Sequence, residues 1–191
     1  MRFFVGLDID PEIRERIAAF RNQMRMLAPD ARWVGPATFH VTLQFLGETK
    51  KFDEIRRALK TVKAESVQLG FRGSGFFPNP KAPRVFWVGI ESDEKLQTLA
   101  DFVASATRPL GFESDTDPYT PHLTLARGGS GRPRPVPGER PASGLQRVRD
   151  EVAKLPRPDF GTMTAHEFYL YESRLLPEGA RYEKRASYPL R

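Results

Sequence analysis

The chain has 191 residues, a formal net charge of +6 and a sequence pI near 9.8, with 39% hydrophobic and 28% charged residues. That length suits one domain over residues 1–191 with a buried hydrophobic interior. The absence of Cys excludes disulfides, thiolate metal ligands and a Cys nucleophile, and no apolar run reaches bilayer-spanning length. The basic balance favours polyanionic partners, nucleic acid above all. The amino terminus enters a strand pattern without a basic and apolar leader, so a cytoplasmic protein is expected.

In chain order, Arg2 to Ile9 reads as a buried strand, and Asp10-Pro11-Glu12 as the N-cap and first turn of a helix. Ile13, Ile17, Phe20, Met24 and Leu27 recur at helical spacing and form its core face. Trp33-Val34 and a Gly35-Pro36 turn lead into a strand through Leu46 to Gly47, with His40, Thr42 and Gln44 expected on one face and Val41, Leu43 and Phe45 on the other. A second helix is expected from about Asp53 to Lys63 and a strand from Val67 to Arg72. Gly73 to Arg84, rich in Gly and Pro, reads as a loop whose Phe76-Phe77 pair is a core plug or, alternatively, a base-stacking element.

Arg84 to Ile90 reads as a further strand, and Asp93 caps a helix carrying Leu96, Leu99 and Val103 that closes at Leu110-Gly111. Phe112 to Thr120 crosses an acidic turn, and the strand that follows ends at Arg127. Residues 128–144 include five Gly, four Pro and three Arg (Arg132, Arg134 and Arg140) and are expected to form a mobile loop that either covers substrate or is a solvated insertion. Leu145, Val148, Val152 and Leu155 mark a helix, Met163 to Tyr171 a single long strand containing His166, and Tyr182 to Leu190 a last strand.

One pattern occurs twice. Phe39-His40-Val41-Thr42-Leu43 and Pro121-His122-Leu123-Thr124-Leu125 each set a His and a Thr two residues apart among aliphatic residues. The two His lie 82 residues apart, and Phe4-Val5-Gly6-Leu7 precedes the first motif much as Trp87-Val88-Gly89-Ile90 precedes the second. An amphipathic helical pattern separates each pair. The chain therefore reads as strand, helix, His-x-Thr strand, repeated, which suits a symmetric two-lobed site. His166 has neither a Thr two residues on nor a repeat partner and is read as structural.

Two imidazoles facing one another suit proton transfer on both sides of one phosphorus. One takes a proton from the attacking water or hydroxyl while the other protonates the departing oxygen. The Thr hydroxyls can donate to the non-bridging oxygens, where negative charge is greatest in the transition state. A paired acid and base needs no metal or cofactor, and the sequence lacks close ligand spacing such as His-Glu-x-x-His. A Ser-His-Asp hydrolase is disfavoured by the lack of a Gly-x-Ser-x-Gly elbow.

With these motifs the sequence resembles the 2H phosphoesterases, and within them the bacterial and archaeal RNA 2′,3′-cyclic phosphodiesterases, also called 2′-5′ RNA ligases. The likeness covers nearly the whole chain, including Arg2-Phe3-Phe4-Val5-Gly6-Leu7, His40 to Glu48, Phe77-Pro78, Trp87-Val88-Gly89, His122 to Arg127 and Tyr188-Pro189-Leu190. The resemblance implies a bilobal α+β fold of two pseudo-symmetric halves, with antiparallel sheets lining a central cleft and helices outside. It implies opening of an RNA 2′,3′-cyclic phosphate to a 2′-phosphomonoester, with reversible 2′-5′ ligation as a side activity. By matching positions, His40 is the general acid, His122 the general base, Thr42 and Thr124 hold the phosphate, and Arg127 adds positive charge. Gln44, where relatives often carry Arg, and the long insertion after Arg127 depart from the pattern. A small cyclic nucleotide or ADP-ribose 1″,2″-cyclic phosphate as substrate, or a non-catalytic RNA-binding module, are the competing readings. A monomer is expected.

Overall fold

The structure, a computed structural model, describes residues 1–114, 118–128 and 144–191. Strand β1 (Arg2–Leu7) runs into helix α1 (Pro11–Arg25), followed by the short β2 (Arg32–Trp33), a 3₁₀ turn at Pro36–Thr38 and β3 (Val41–Glu48). Helix α2 (Phe52–Leu59) leads to β4 (Val67–Phe77), which pairs with β5 (Val85–Glu91). Then come α3 (Glu94–Thr107), β6 (His122–Arg127), α4 (Gly144–Val152) and three strands: β7 (Asp159–Ala165), β8 (Glu167–Leu176) and β9 (Gly179–Pro189). These form two antiparallel sheets, ordered β3-β1-β8-β9 and β2-β6-β5-β4-β7. The fold is α+β, as expected.

The two orders express the internal repeat. In each sheet the His-x-Thr strand lies beside the strand that opens its own half: β3 beside β1, and β6 beside β5. Next in line is a strand from the other half, β8 in the first sheet and β4 in the second. The halves thus exchange strands, and each sheet is completed by chain from its partner.

Helices cover the sheets because their apolar residues recur on one side. Ile13, Ile17 and Met24 of α1, Ile55 and Leu59 of α2, Leu96, Leu99 and Val103 of α3, and Leu145 and Val148 of α4 are buried. Each aliphatic side chain so removed from water contributes about 1.5–3 kcal/mol before entropy is counted. Asp93 caps α3 by accepting from the Lys95 N–H, and Gly111 closes that segment in the left-handed region. Asp10 precedes α1 without capping it through its side chain; its N–H points to Met163 Sδ instead.

Three expectations are corrected. Gly73 to Phe77 is strand, the end of β4, because it pairs with β5. Met163 to Tyr171 is two strands in different sheets, broken at His166, whose Nδ1 meets Ser66 Oγ at 3.1 Å away from the cleft. Gln44 and Phe45 have exchanged faces, because β3 carries an extra residue at Leu43 relative to β1. The bulge turns Gln44 inward, where its amide meets Thr107 Oγ1 of α3 at 2.8 Å, and leaves Phe45 61% exposed. Of the expected 128–144 loop, Gly144 opens α4, while residues 129–143, with Arg132, Arg134 and Arg140, lie outside the described residues.

Candidate active site

The two His-x-Thr motifs meet across a cleft of about 950 Å³ whose lining includes His40, Thr42, His122, Thr124 and Arg127. All five predicted site residues are therefore brought together. Both His and both Thr are half-buried, and Arg127 is exposed at the end of β6.

Each imidazole is held in the same frame. Nδ1–H of His40 donates to the Thr38 carbonyl at 2.7 Å, and Nδ1–H of His122 to the Thr120 carbonyl at 2.8 Å. A carbonyl can only accept, so the proton of each neutral ring sits on Nδ1, and Nε2 carries the lone pair. The anchor is two residues before the His in both cases. The legible signal was Thr-x-His-x-Thr, which also occurs twice, at 38–42 and 120–124.

The surroundings of the two rings differ in kind. His40 lies over Phe4, with ring centroids 4.6 Å apart, and meets the edge of Tyr182 at 5.1 Å; Phe4 in turn stacks on Tyr171. His122 meets Phe77 edge-on at 5.0 Å and has Trp87 at 6.4 Å. Phe76 is core, stacked on Phe86, whereas Phe77 lines the cleft, so the core-plug reading holds for Phe76 alone. Gly75 makes room for this arrangement, since a Cβ there would stand 2.3 Å from the Trp87 ring. Thr42 Oγ1 is 2.8 Å from His40 Nε2, while among the described residues Nε2 of His122 has no hydrogen bond.

A charged brace stands behind His40. Arg14 of α1 donates to the carbonyls of Pro36 at 2.6 Å and Phe39 at 3.2 Å, gripping the turn that supplies the Thr38 anchor. Its other nitrogen bonds Asp8 at 2.6 Å, and Lys184 reaches the same carboxylate at 2.5 Å. Burial pushes Asp8 up, but hydrogen bonds from Lys184 and the Ile9 N–H, with the charges of Lys184 and Arg14, outweigh it and hold the carboxyl below its ordinary range.

Both imidazoles are poised below the ordinary value of 6.5. For His40 desolvation dominates. The bond to Thr38 opposes it, the charges of Arg14 and His122 add to the depression, and Asp8 counters weakly. For His122 desolvation again leads, opposed by the Thr120 bond and reinforced by Arg127. Burial raises Tyr182, and the positive charges of Arg127 and Arg2 pull it back, so Arg127 acts on groups from both lobes.

Among the described residues one hydrogen bond ties the segment just before the second motif to the first motif. Tyr119, three residues before His122, donates its hydroxyl to the Thr42 carbonyl at 2.9 Å. Periodicity gave no hint of this, because the partners are 77 residues apart. Among the described residues no group of three His, Cys, Asp or Glu is placed to hold a metal.

A family model for LigT-like phosphoesterases matches the chain twice, over residues 7–87 and 88–182. The chain belongs to the LigT-like, or 2H, phosphoesterase family. Each match spans one His-x-Thr motif, so the family pattern is itself doubled along this phosphoesterase. Curated relatives include proteins named RNA 2′,3′-cyclic phosphodiesterase from Archaeoglobus fulgidus, 34% identical over 96% of this chain and 97% of its own, and from Methanocaldococcus jannaschii, 30% identical over 96% and 97%. Among solved structures, TT0787 of Thermus thermophilus superposes with a TM-score of 0.74 at 27% identity, covering 100% of this chain and 98% of its own. Escherichia coli LigT complexed with 3′-AMP shares the fold, with a TM-score of 0.76 at 24% identity and coverage of 99% and 97%.

Proposed function

We propose that this phosphoesterase hydrolyses RNA 2′,3′-cyclic phosphodiester ends to 2′-phosphomonoesters, without a metal, through His40 as general acid and His122 as general base. The observation that carries the reading is the pair of equivalent imidazoles in one cleft, each fixed by Nδ1 to its own backbone so that Nε2 is the reactive nitrogen. The names of the curated relatives support the substrate class.

In the step proposed, His122 Nε2 takes a proton from water as the water oxygen bonds to phosphorus. The bond from phosphorus to O3′ breaks, and His40 Nε2 delivers its proton to O3′. The product carries a 2′-phosphate and a 3′-hydroxyl, and exchange with solvent restores both rings. A 5′-hydroxyl in place of water would yield a 2′-5′ linkage by the same transfers, so reversible ligation is part of the proposal as a side activity.

Thr42, Thr124 and Arg127 bind the phosphate in this reading. With neutral His40, the Thr42 hydroxyl donates to Nε2; with the charged ring it accepts from Nε2–H, which frees its own proton for a phosphoryl oxygen. Arg127 supplies positive charge at the cleft rim. Both motifs lie on one chain, so we propose a monomeric, single-domain enzyme acting on cytoplasmic RNA. No helix of the described residues is long and apolar enough to cross a membrane.

The test is a short RNA ending in a 2′,3′-cyclic phosphate, incubated with the protein in excess EDTA, with phosphorus NMR of the product. A 2′-phosphate is expected, and His40→Ala or His122→Ala should each lower kcat by about 10²–10⁴-fold while leaving RNA affinity within about tenfold. Turnover that stops in EDTA, or survives both substitutions, overturns the reading. Binding without turnover in the unmodified protein moves the RNA-binding module to the front.

A further inference from the structure

The internal repeat is broken where the two histidine anchors are supported. Gly89 lies 83 residues beyond Gly6, and the same offset relates Asp8 to Glu91 and Arg14 to Gln97. Helix burial agrees with it, since Ile13 and Ile17 of α1 fall on Leu96 and Ala100 of α3, and all of them are buried. The paired polar positions nevertheless do different things.

In the first half a carboxylate, a guanidinium and an ammonium are joined in one chain. Both oxygens of Asp8 are engaged: Oδ1 accepts from the Ile9 N–H at 2.8 Å and from Arg14 at 2.6 Å, and Oδ2 accepts from Lys184 of β9 at 2.5 Å. The Lys184 ammonium is itself seated over the Tyr169 ring, 4.2 Å from its centre. Nη1 of Arg14 then donates to the Pro36 and Phe39 carbonyls. A planar guanidinium held at one nitrogen is fixed in the direction of the other. The carboxylate therefore decides where the turn sits, and with it the Thr38 carbonyl that anchors His40.

The second half has no such chain among the described residues. Glu91 turns to Arg72 and Arg157, and Gln97 donates to Asp101 on its own helix. A hollow of about 330 Å³, lined by Glu91, Gln97, Tyr119 and Pro121, lies beside the turn that supplies the Thr120 anchor.

We propose that Asp8 and Lys184 are positioning residues for the proposed acid: held by Lys184, the Asp8 carboxylate sets Arg14 on the turn and so fixes the backbone carbonyl that aims His40, a control the second motif lacks. The inference rests on the phosphodiesterase reading for its kinetic consequence. A ring aimed by a carbonyl follows that carbonyl, and a small displacement of an acid costs turnover rather than binding.

The test is a double-substitution cycle on the short RNA with a 2′,3′-cyclic phosphate end, scored by kcat and KM. Asp8→Ala should lower kcat about tenfold with KM changed less than about twofold, and Lys184→Met should lower kcat about threefold. In an Arg14→Met background, where the guanidinium is already gone, Asp8→Ala should cost less than about twofold more. Glu91→Ala, at the repeat-related position, should leave kcat within about twofold. A loss from Asp8→Ala as large without Arg14 as with it, a loss carried in KM, or an equal loss from Glu91→Ala overturns the proposal. If Asp8→Ala does not fold, Lys184→Met, whose side chain is 44% exposed, decides in its place, and an unchanged kcat there overturns the proposal. Exchange of the ring Nδ1 protons with water, followed by NMR on protein with isotope-labelled histidine, reads the geometry without turnover. In Asp8→Ala or Lys184→Met the His40 proton should exchange at least about threefold faster while that of His122 is unchanged, and equal protection of His40 overturns the proposal. If the unmodified protein turns over no cyclic phosphate, the phosphodiesterase reading fails by itself and the exchange measurement alone decides the brace.

Discussion

The reactivity proposed for His40 and His122 follows from how each ring is held. An imidazole whose Nδ1–H is committed to a backbone carbonyl has one nitrogen left for chemistry, and desolvation moves its titration below 6.5. Because the acid must be charged and the base neutral, kcat/KM should trace a bell centred below 6.5. Bound phosphate stabilises the charged rings, so the bell for kcat should lie at higher pH than that for kcat/KM; coincident bells in a pair of pH series would contradict this. Removing the positive charge of Arg14 raises His40, because that charge depresses it. Arg14→Met should therefore shift the His40 titration upward by NMR, and lower kcat more than it raises KM, since the Pro36–Phe39 turn loses its grip. The same depression makes folding favour the neutral rings. Stability is complete above the unfolded value near 6.5 and declines as pH falls toward the folded values.

Among the elements, β3 and β6 are strands whose bulges matter as much as their pleats. A regular strand would have placed Gln44 in the cleft and Phe45 in the core. One extra residue instead exposes Phe45 and buries Gln44, whose amide finds Thr107. Gly47, at φ +74°, follows a second extra residue at Leu46 and takes a conformation that a side chain would strain. The neighbouring strands position aromatic rings rather than reacting groups. Gly75 on β4 leaves space for Trp87 of β5, which borders Phe77 and His122. Gly75→Ala should displace that indole, destabilise the fold by about 1–3 kcal/mol and lower kcat. Trp33 is the other Trp of the chain, so fluorescence in a Trp33→Phe background reports the displacement; an unchanged spectrum with full activity would show that Trp87 does not support His122.

At the scale of the molecule, the cleft depends on halves that complete each other's sheets. β4 extends the second sheet and β8 the first, so neither half assembles its sheet from its own strands alone. Two polar bridges then fix β3 against the second half, Tyr119 to the Thr42 carbonyl and Thr107 to Gln44. The Tyr119 bridge ties the approach to the second motif to the first motif, so Tyr119→Phe should leave folding intact and lower kcat about tenfold with little change in KM, as expected for loss of one hydrogen bond that aligns the proposed acid and base. It should also weaken the influence of His122 on the titration of His40, read by NMR with and without His122→Ala. A Tyr119→Phe protein with unchanged kcat would show that the sheets alone set the spacing.

Much of this was legible in the sequence, because the information was local or repeated. Helical faces such as Ile13, Ile17 and Met24 follow from spacing alone, Asp93 from capping chemistry, and the His-Thr pairs from a pattern that occurs twice in one chain. What spacing cannot express is register. The bulges at Leu43 and Leu125 exist only relative to β1 and β5, and the first of them decides that Phe45 is exposed while Gln44 is buried against Thr107. The Arg14 brace, the Tyr119 bridge and the rings around each His bring together residues remote in the chain. Sequence by itself determined which groups can exchange protons, since that is a property of residue type. Their orientation, tautomer and depressed titration were decided by the tertiary structure, because burial and hydrogen-bond partners arise only when distant strands pack.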